Sequence, residues 1–128
     1  MDADPVVKIK SGKIQHKPLL IGANRNEASY FICGDKKAAN LSAWEYVAFV
    51  VGEFGYNEGI SALGKYPITN EQPAVQALIN LETDYIFKCP STLVSTADLQ
   101  AHPTNYLRLP LACKWLVERI CPRVFLFF

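Results

Sequence analysis

The sequence has few of the residues that build metal sites, and it has no long apolar run. Among its 128 residues are two histidines and four cysteines, and no two cysteines form a C-x-x-C pair. Tetrahedral zinc ligands usually come in closely spaced pairs, so a zinc site is not expected, and neither is any cofactor. No apolar run approaches the roughly 20 residues that a membrane-spanning helix needs.

The N-terminus lacks the features of a secretory leader. Its first ten residues, MDADPVVKIK, carry acidic residues where a signal peptide has lysine or arginine, and no apolar core follows them. We therefore expect no signal peptide in this sequence, and its localisation stays open.

The sequence also lacks an excess of charge of one sign. Thirteen lysines and arginines face twelve acidic residues, which gives a formal net charge of +1. Such an even balance argues against a dedicated nucleic-acid binder. Half of the residues are hydrophobic, which is ample for a core, and the length suits one domain of ordinary size.

Two apolar segments near the N-terminus predict strands. Val6, Val7 and Ile9 alternate loosely with lysines before a turn at residues 11–13. Residues 18–23, PLLIGA, form a short continuous apolar run between turn residues, which is typical of a strand buried on both faces. We therefore expect an α/β fold with one or two strands and several helices, mostly helical over this stretch of sequence.

The clearest helix signal begins at Ser42. Ser42 and Glu45 form a capping-box pattern, and Gly55 is a suitable stop, so a helix is predicted over about residues 42–54. Apolar residues then recur at helical spacing, which predicts that they form the buried face of this helix: Leu41, Trp44, Val47, Val51 and Phe54.

Further helices are predicted around this one. Residues 27–31 can begin a helix, and a short helix is expected near residues 58–63. A second capping-box pattern at residues 69–72 precedes Pro73 and predicts the start of a long helix. That helix is expected to be interrupted at Pro90 and to continue to about residue 100.

The composition changes at about residue 106. Sixteen of residues 106–128 are hydrophobic, and this stretch has a net charge of +3, against −2 for the residues before it. An apolar, β-prone end of this kind is an aggregation hazard unless something covers it. We therefore treat residues 1–105 and 106–128 as separate segments.

Two stretches come close to catalytic motifs and fail. Residues 59–65 match the start of a phosphate-binding loop, but Tyr66 stands where the Mg²⁺-binding hydroxyl belongs and no strand precedes them. Ser61 has a glycine two residues before it but Leu63 two residues after it, so it does not form a nucleophile elbow. Neither nucleotide binding nor a nucleophilic serine is expected here.

The remaining polar motifs have ordinary explanations. His16 and His102 lie in polar loop contexts and are expected to be solvated. Asn40-Leu41-Ser42 is an N-glycosylation sequon, which matters only if the chain enters the secretory pathway. The capping role of Ser42 is the stronger local explanation for the serine.

Glu27 is the most informative residue of the sequence. It follows the apolar run of residues 18–23, and functional groups collect at the carboxyl ends of strands in open α/β sheets. A carboxylate there can orient a histidine and stabilise its imidazolium form. The alternative is a first-turn glutamate that interacts favourably with a helix dipole.

Two blocks of this sequence resemble the type-B carboxylesterase and cholinesterase family. Residues 11–31 resemble the family's segment around its triad acid, in which an apolar strand is followed by Gly-x-Asn-x-x-Glu-Gly and then small and aromatic residues. Residues 83–90, TDYIFKCP, resemble the family helix that carries T-D-x-x-F-x-C-P. The resemblance begins near Asp4-Pro5 and covers about residues 4–105.

The resemblance implies a fold, a role and a substrate class. The chain would form a partial α/β-hydrolase fold, and Glu27 would be the carboxylate of a Ser-Glu-His triad that acts on a small carboxylic ester. In some members the cysteine matching Cys89 pairs with one nearer the C-terminus, so a disulfide partner would lie outside this region. Full-length members are often secreted or found in the endoplasmic reticulum.

The departures from the family pattern limit what we expect. The serine motif would precede Met1, and no His-Gly context follows the second block. Ala28 stands where the family has glycine, which matters little if its backbone is helical. We expect a fragment of a serine carboxylic-ester hydrolase that is inactive alone. The alternatives are a non-catalytic cholinesterase-like adhesion module and an unrelated small helical domain.

Overall fold

The computed structural model describes residues 4–13, 17 and 19–101, and 69% of them are helical. No strand occurs in this part of the chain, so the expected α/β fold is wrong and the described residues form an all-helical fragment. The segment from 106 to 128, which was expected to be distinct, lies outside the described residues.

The chain divides into two compact units. We call Asn24–Phe87 the central unit. The terminal unit combines the described residues of Met1–Ala23 with those of Lys88–Phe128. The boundary expected after residue 105 falls outside the described residues and stays a prediction.

The terminal unit contains helix α1, Pro5–Lys10, where the sequence predicted a strand. The Asp4 side chain accepts a hydrogen bond from the Val6 backbone N–H at 2.7 Å, and Pro5 occupies the first helical position. A capped start with proline at that position favours a helix. The loose alternation of valines and lysines was a weaker signal, since Val6 and Val7 are adjacent.

The second predicted strand is also wrong. Residues 19–24 have no regular secondary structure, Leu20 is fully exposed, and Pro18 lies outside the described residues. A lone extended segment cannot satisfy its own N–H and C=O groups, and no strand in the described part of the chain pairs with this one. Hydrophobicity alone predicted a strand and could not supply its partner.

The central unit begins with two short helical elements and one longer helix. Helix α2 spans Ser29–Gly34, and a 3₁₀ helix spans Ala38–Asn40. Helix α3 spans Ala43–Phe54 with Ser42 as its N-cap and Gly55 as its C-cap. Both hydrogen bonds of the predicted capping box are present, so the prediction of this helix and its ends is confirmed.

The predicted buried face of α3 is wrong in its centre. Tyr46, Val50 and Phe54 are buried, whereas Trp44 and Val47 are exposed, with 72% of the Trp44 surface accessible. The helix is apolar nearly all round, so helical spacing fits more than one face and does not choose between them. The choice depends on the partners of α3, which include α4 and α5.

Helix α4, Tyr56–Lys65, contacts α3 closely at one glycine. A Cβ added to Gly59 would lie 2.9 Å from the Val51 Cα and 3.2 Å from the Val50 carbonyl oxygen. Gly59 is therefore required for the approach of the two helices. Gly55, between them, has φ +79°, which favours glycine at this junction.

Helix α5, Ala74–Glu82, begins later than the second capping-box pattern predicted. Thr69 and Gln72 form a closed turn before the helix, and Pro73 is the N-cap without a side-chain cap. The helical conformation is disfavoured for a residue that precedes proline, which opposes a helix start before Pro73. The pattern indicated a turn rather than a helix start.

A π-helical segment, Thr83–Lys88, and helix α6, Cys89–Ala101, follow α5 directly along the chain. An interruption was predicted at Pro90, and the irregular, π-helical segment lies in the turns just before it. Proline has no N–H to donate to the carbonyl of the preceding turn, and its ring crowds that turn. Helix α6 contacts α1 within the terminal unit. No helix among residues 4–13 and 19–101 is long and apolar enough to span a membrane.

The core of the central unit is formed by apolar residues from α3, α4 and α5. Tyr46, Val50, Ala62, Ala77 and Leu81 are almost completely buried. Tyr46 donates its hydroxyl to the Tyr66 carbonyl oxygen at 2.8 Å, so its polar atom is satisfied inside this core.

We expect the substitution Gly59→Ala to destabilise the chain. Its new Cβ would overlap the α3 backbone at Val51, and overpacking of this kind costs about 1–3 kcal/mol. This loss should outweigh the higher helix propensity of alanine. Chemical denaturation of both proteins measures the difference.

The matched control is Gly64→Ala in the same helix. A Cβ at Gly64 has no neighbour within 4 Å, so this variant should be neutral or stabilised by about 0.5–1 kcal/mol. Equal stability of the Gly59→Ala variant and the wild type would contradict the close contact of α3 and α4.

Candidate functional site

Glu27 lies in a turn that immediately precedes α2. Its Oε1 accepts a hydrogen bond from the Asn24 backbone N–H at 2.8 Å, and its side chain is half-buried. The Ser29 N–H donates to the Asn26 carbonyl at 3.1 Å and closes the turn. Glu27 precedes the N-cap residue Ala28, and its carboxylate bonds the Asn24 amide rather than an amide of α2. The alternative of a first-turn glutamate therefore does not describe it.

Ala28 connects this turn to a distant part of the central unit. Its backbone N–H donates to Thr83 Oγ1 at 3.1 Å, and both residues are buried. Ala28 has φ −69° and ψ −13°, so its backbone is helical and the glycine of the family pattern is not needed here. The two blocks singled out by the resemblance thus meet at this hydrogen bond.

Aromatic side chains lie next to the turn. The Tyr30 and Phe31 rings form an edge-to-face pair with centroids 5.5 Å apart. Phe31 also stacks with Phe87 at 6.3 Å, which adds a second link between the two blocks. Tyr30 and Phe31 are largely exposed although they are aromatic.

Among the residues that the structure describes, the Glu27 carboxylate has no catalytic partner. One Glu27 oxygen is held by a backbone amide, and within the described residues the second oxygen has no hydrogen-bond partner. A carboxylate held in this way can accept a hydrogen bond from an imidazole N–H. His16 and His102 both lie outside the described residues.

Cysteines and metal ligands form no site in the described part of the chain. Cys33 is exposed and Cys89 is buried, and no disulfide joins them or any other described residue. Cys113 and Cys121 lie outside the described residues. No group of three or more His, Cys, Asp or Glu side chains among residues 4–13 and 19–101 could hold a metal ion.

A second cluster of titratable side chains, Glu82, Glu53 and Tyr46, was not predicted from the sequence. Burial, followed by the charge of Glu53 on α3, raises the pKa of Glu82 at the end of α5 to about 7. Burial, followed by the charge of Glu82, raises the pKa of Tyr46 to about 12. These shifts depend on the packing of α3 against α5, and no local sequence pattern marks them.

Glu45 shows the opposite effect at the surface. The Ser42 side chain and then the Ser42 backbone N–H donate hydrogen bonds to its carboxylate, and together they lower its pKa. This carboxylate is the reciprocal half of the α3 capping box, so its electrostatics belong to the helix start.

No family model matches this sequence, and no curated protein or solved structure is significantly similar to it.

We expect Thr83→Val to destabilise the central unit by about 1–3 kcal/mol. Valine preserves the shape of threonine but leaves the buried Ala28 N–H without its acceptor, and an unsatisfied buried donor costs about this much. Thr83→Ser retains the hydroxyl and should recover most of the loss. If the valine and serine variants unfold at the same denaturant concentration, the hydrogen bond does not contribute.

We also expect the free energy of unfolding to fall as the pH rises from about 4.5 towards 7. Glu82 has a higher pKa folded than its ordinary value of 4.5, so the folded state favours the protonated carboxyl. Its stabilising effect is complete below pH 4.5 and is lost as the pH rises through the folded pKa of about 7. The full effect is about 3 kcal/mol.

Two variants separate Glu82 from other carboxylates in this titration. Glu82→Gln should remove this pH dependence and stabilise the chain near neutral pH, because glutamine has no charge to bury. Glu53→Gln should shift the transition to lower pH by removing the neighbouring charge. Denaturant unfolding curves at a series of pH values measure both, and an unchanged pH profile in Glu82→Gln would refute the assignment.

Proposed function

We propose that this chain contributes the triad acid, Glu27, to a serine hydrolase acting on a small carboxylic ester. The family that the sequence resembles is that of the type-B carboxylesterases and cholinesterases. The proposal concerns the chemistry of the turn that carries Glu27 and requires no strand within residues 19–24.

The hydrogen bond from Ala28 to Thr83 is the observation that supports this proposal most. The two family-like blocks were identified separately, and 55 positions separate Ala28 from Thr83. A chance resemblance gives no reason for the residue after Glu27 to bond the first residue of the second block. Stacking of Phe31 on Phe87 brings the same blocks together by a different interaction.

Glu27 would act through a histidine rather than on the ester itself. In a triad the carboxylate accepts the Nδ1–H of the histidine, holds the ring in the correct tautomer and stabilises the imidazolium that forms. The histidine takes the proton of the serine as the hydroxyl attacks the ester carbonyl. The hydrogen bond from the Asn24 backbone N–H would hold the carboxylate in place for this purpose.

The 128-residue chain by itself should not hydrolyse esters above background. It contains no nucleophile elbow, and loss of the triad serine alone can lower kcat about 10⁶-fold. The purified chain and its Glu27→Gln variant should therefore give equal, background rates with a short-chain aryl ester. Turnover that Glu27→Gln abolishes would show that the chain holds a complete site, and would contradict this expectation.

A segment exchange tests the role of Glu27 directly. Residues 17–31 of this chain would replace the acid-bearing segment of an active type-B carboxylesterase, and the chimera should retain hydrolysis. Glu27→Gln in that chimera should lower kcat about 10³–10⁴-fold, as expected for loss of a triad acid. Arg25→Gln, an exposed change in the same turn, is the control and should leave kcat unchanged.

A non-catalytic interaction module is the second candidate function. The observation that favours it is the exposed apolar surface of α3, where Trp44, Val47 and Phe49 are accessible. Exposed apolar patches commonly mark contact surfaces. A folded chimera that is inactive while Glu27 is intact would favour this candidate over the hydrolase role.

A further inference from the structure

We propose that Asn40 is the acceptor of an N-linked glycan. Asn40-Leu41-Ser42 is the only N-x-[ST] sequence in the 128 residues, and the middle residue is not proline. The inference is independent of ester hydrolysis and requires only that the segment be exposed to the lumen of the secretory pathway.

Asn40 occupies a surface position that an oligosaccharide can reach. It is the last residue of the 3₁₀ helix Ala38–Asn40, and its side chain is exposed. Its Nδ2 donates to the Lys36 carbonyl oxygen at 2.8 Å, and this hydrogen bond is itself at the surface. A glycosylated amide nitrogen keeps one N–H, so attachment buries no polar group and displaces no core residue.

The helix cap explains Ser42 but not Asn40. Ser42 Oγ accepts from the Glu45 backbone N–H in the capping box, and serine, threonine, aspartate or asparagine would serve this purpose. Nothing in that box involves the side chain two residues earlier. The cap forms when α3 folds, whereas oligosaccharide transfer acts on the extended nascent chain, so the two roles of the serine do not compete.

The reaction is a group transfer from a polyprenyl pyrophosphate-linked oligosaccharide, which is the co-substrate. A bond forms between Asn40 Nδ2 and C1 of the first sugar. The bond between C1 and the pyrophosphate oxygen breaks, and the lipid pyrophosphate leaves with the electron pair. Nδ2 loses one of its two protons, and nothing is oxidised or reduced.

A glycan at this position would shield an apolar surface. Trp44 lies four residues after Asn40 and is 72% exposed, and Val47 is exposed on the same helix. Bulky, hydrophilic sugars at the entry to α3 keep other molecules away from exposed apolar side chains, which otherwise promote association. A glycan at Asn40 would therefore lie beside the exposed apolar side chains of α3.

The test is expression of the full chain behind a cleavable signal peptide in a eukaryotic secretory host. Cell extract and medium are treated with peptide N-glycosidase and analysed by gel mobility, and Asn40 is examined by peptide mass spectrometry. Asn40→Gln removes the acceptor and keeps the cap. Ser42→Thr keeps both the sequon and the cap, and controls for any effect of altering the helix start.

We expect one glycosidase-sensitive shift in the wild type and in Ser42→Thr, and its complete loss in Asn40→Gln. A wild-type chain that reaches the lumen, shown by signal cleavage, and remains unglycosylated would overturn the proposal. A shift that persists in Asn40→Gln would also overturn it. Because the assay measures sugar attachment alone, its result does not depend on the hydrolase proposal.

Discussion

The hydrogen bond between the Ala28 N–H and Thr83 Oγ1 is the interaction on which the candidate site depends. Both residues are buried, so the amide has no access to water and must find its partner within the protein. Ala28 separates the Glu27 turn from α2, and Thr83 begins the π-helical segment. Stacking of Phe31 on Phe87 supports the same connection. The position of Glu27 is therefore set by tertiary contacts on one side and by the Asn24 amide on the other.

A second set of buried polar groups connects the rest of the central unit. The Tyr46 hydroxyl donates to the Tyr66 carbonyl oxygen, and the Tyr66 hydroxyl donates to Asp84 Oδ2 at 2.7 Å. These bonds join α3, the residue after α4 and the π-helical segment. The first of these hydrogen bonds is buried and the second is partly buried, so separating the helices would cost the desolvated donors their acceptors.

Local signals predicted the start of α3, but they predicted neither the start of α5 nor the face that α3 buries. The capping box at Ser42 and the stop at Gly55 were read correctly, because the atoms involved lie within a few residues of each other. The exposure of Trp44 could not be predicted from local sequence, because α3 is apolar on several sides and its neighbouring helices determine which side is buried. The predicted strand at residues 18–23 failed for a related reason. An apolar run indicates burial only if the chain supplies a partner for its backbone.

The same distinction separates the two notable carboxyl groups of the central unit. Glu27 could be singled out from the sequence because of the apolar run before it and the family-like residues around it, although residues 19–24 form no strand. Glu82 could not, since its pKa of about 7 results from the packing of α3 against α5. A triad acid has to be ionised to stabilise an imidazolium, and a carboxyl group with that pKa is only half ionised near neutral pH. Glu82 is therefore poorly suited to the role of a triad acid, and its raised pKa instead reflects how closely α5 packs against α3.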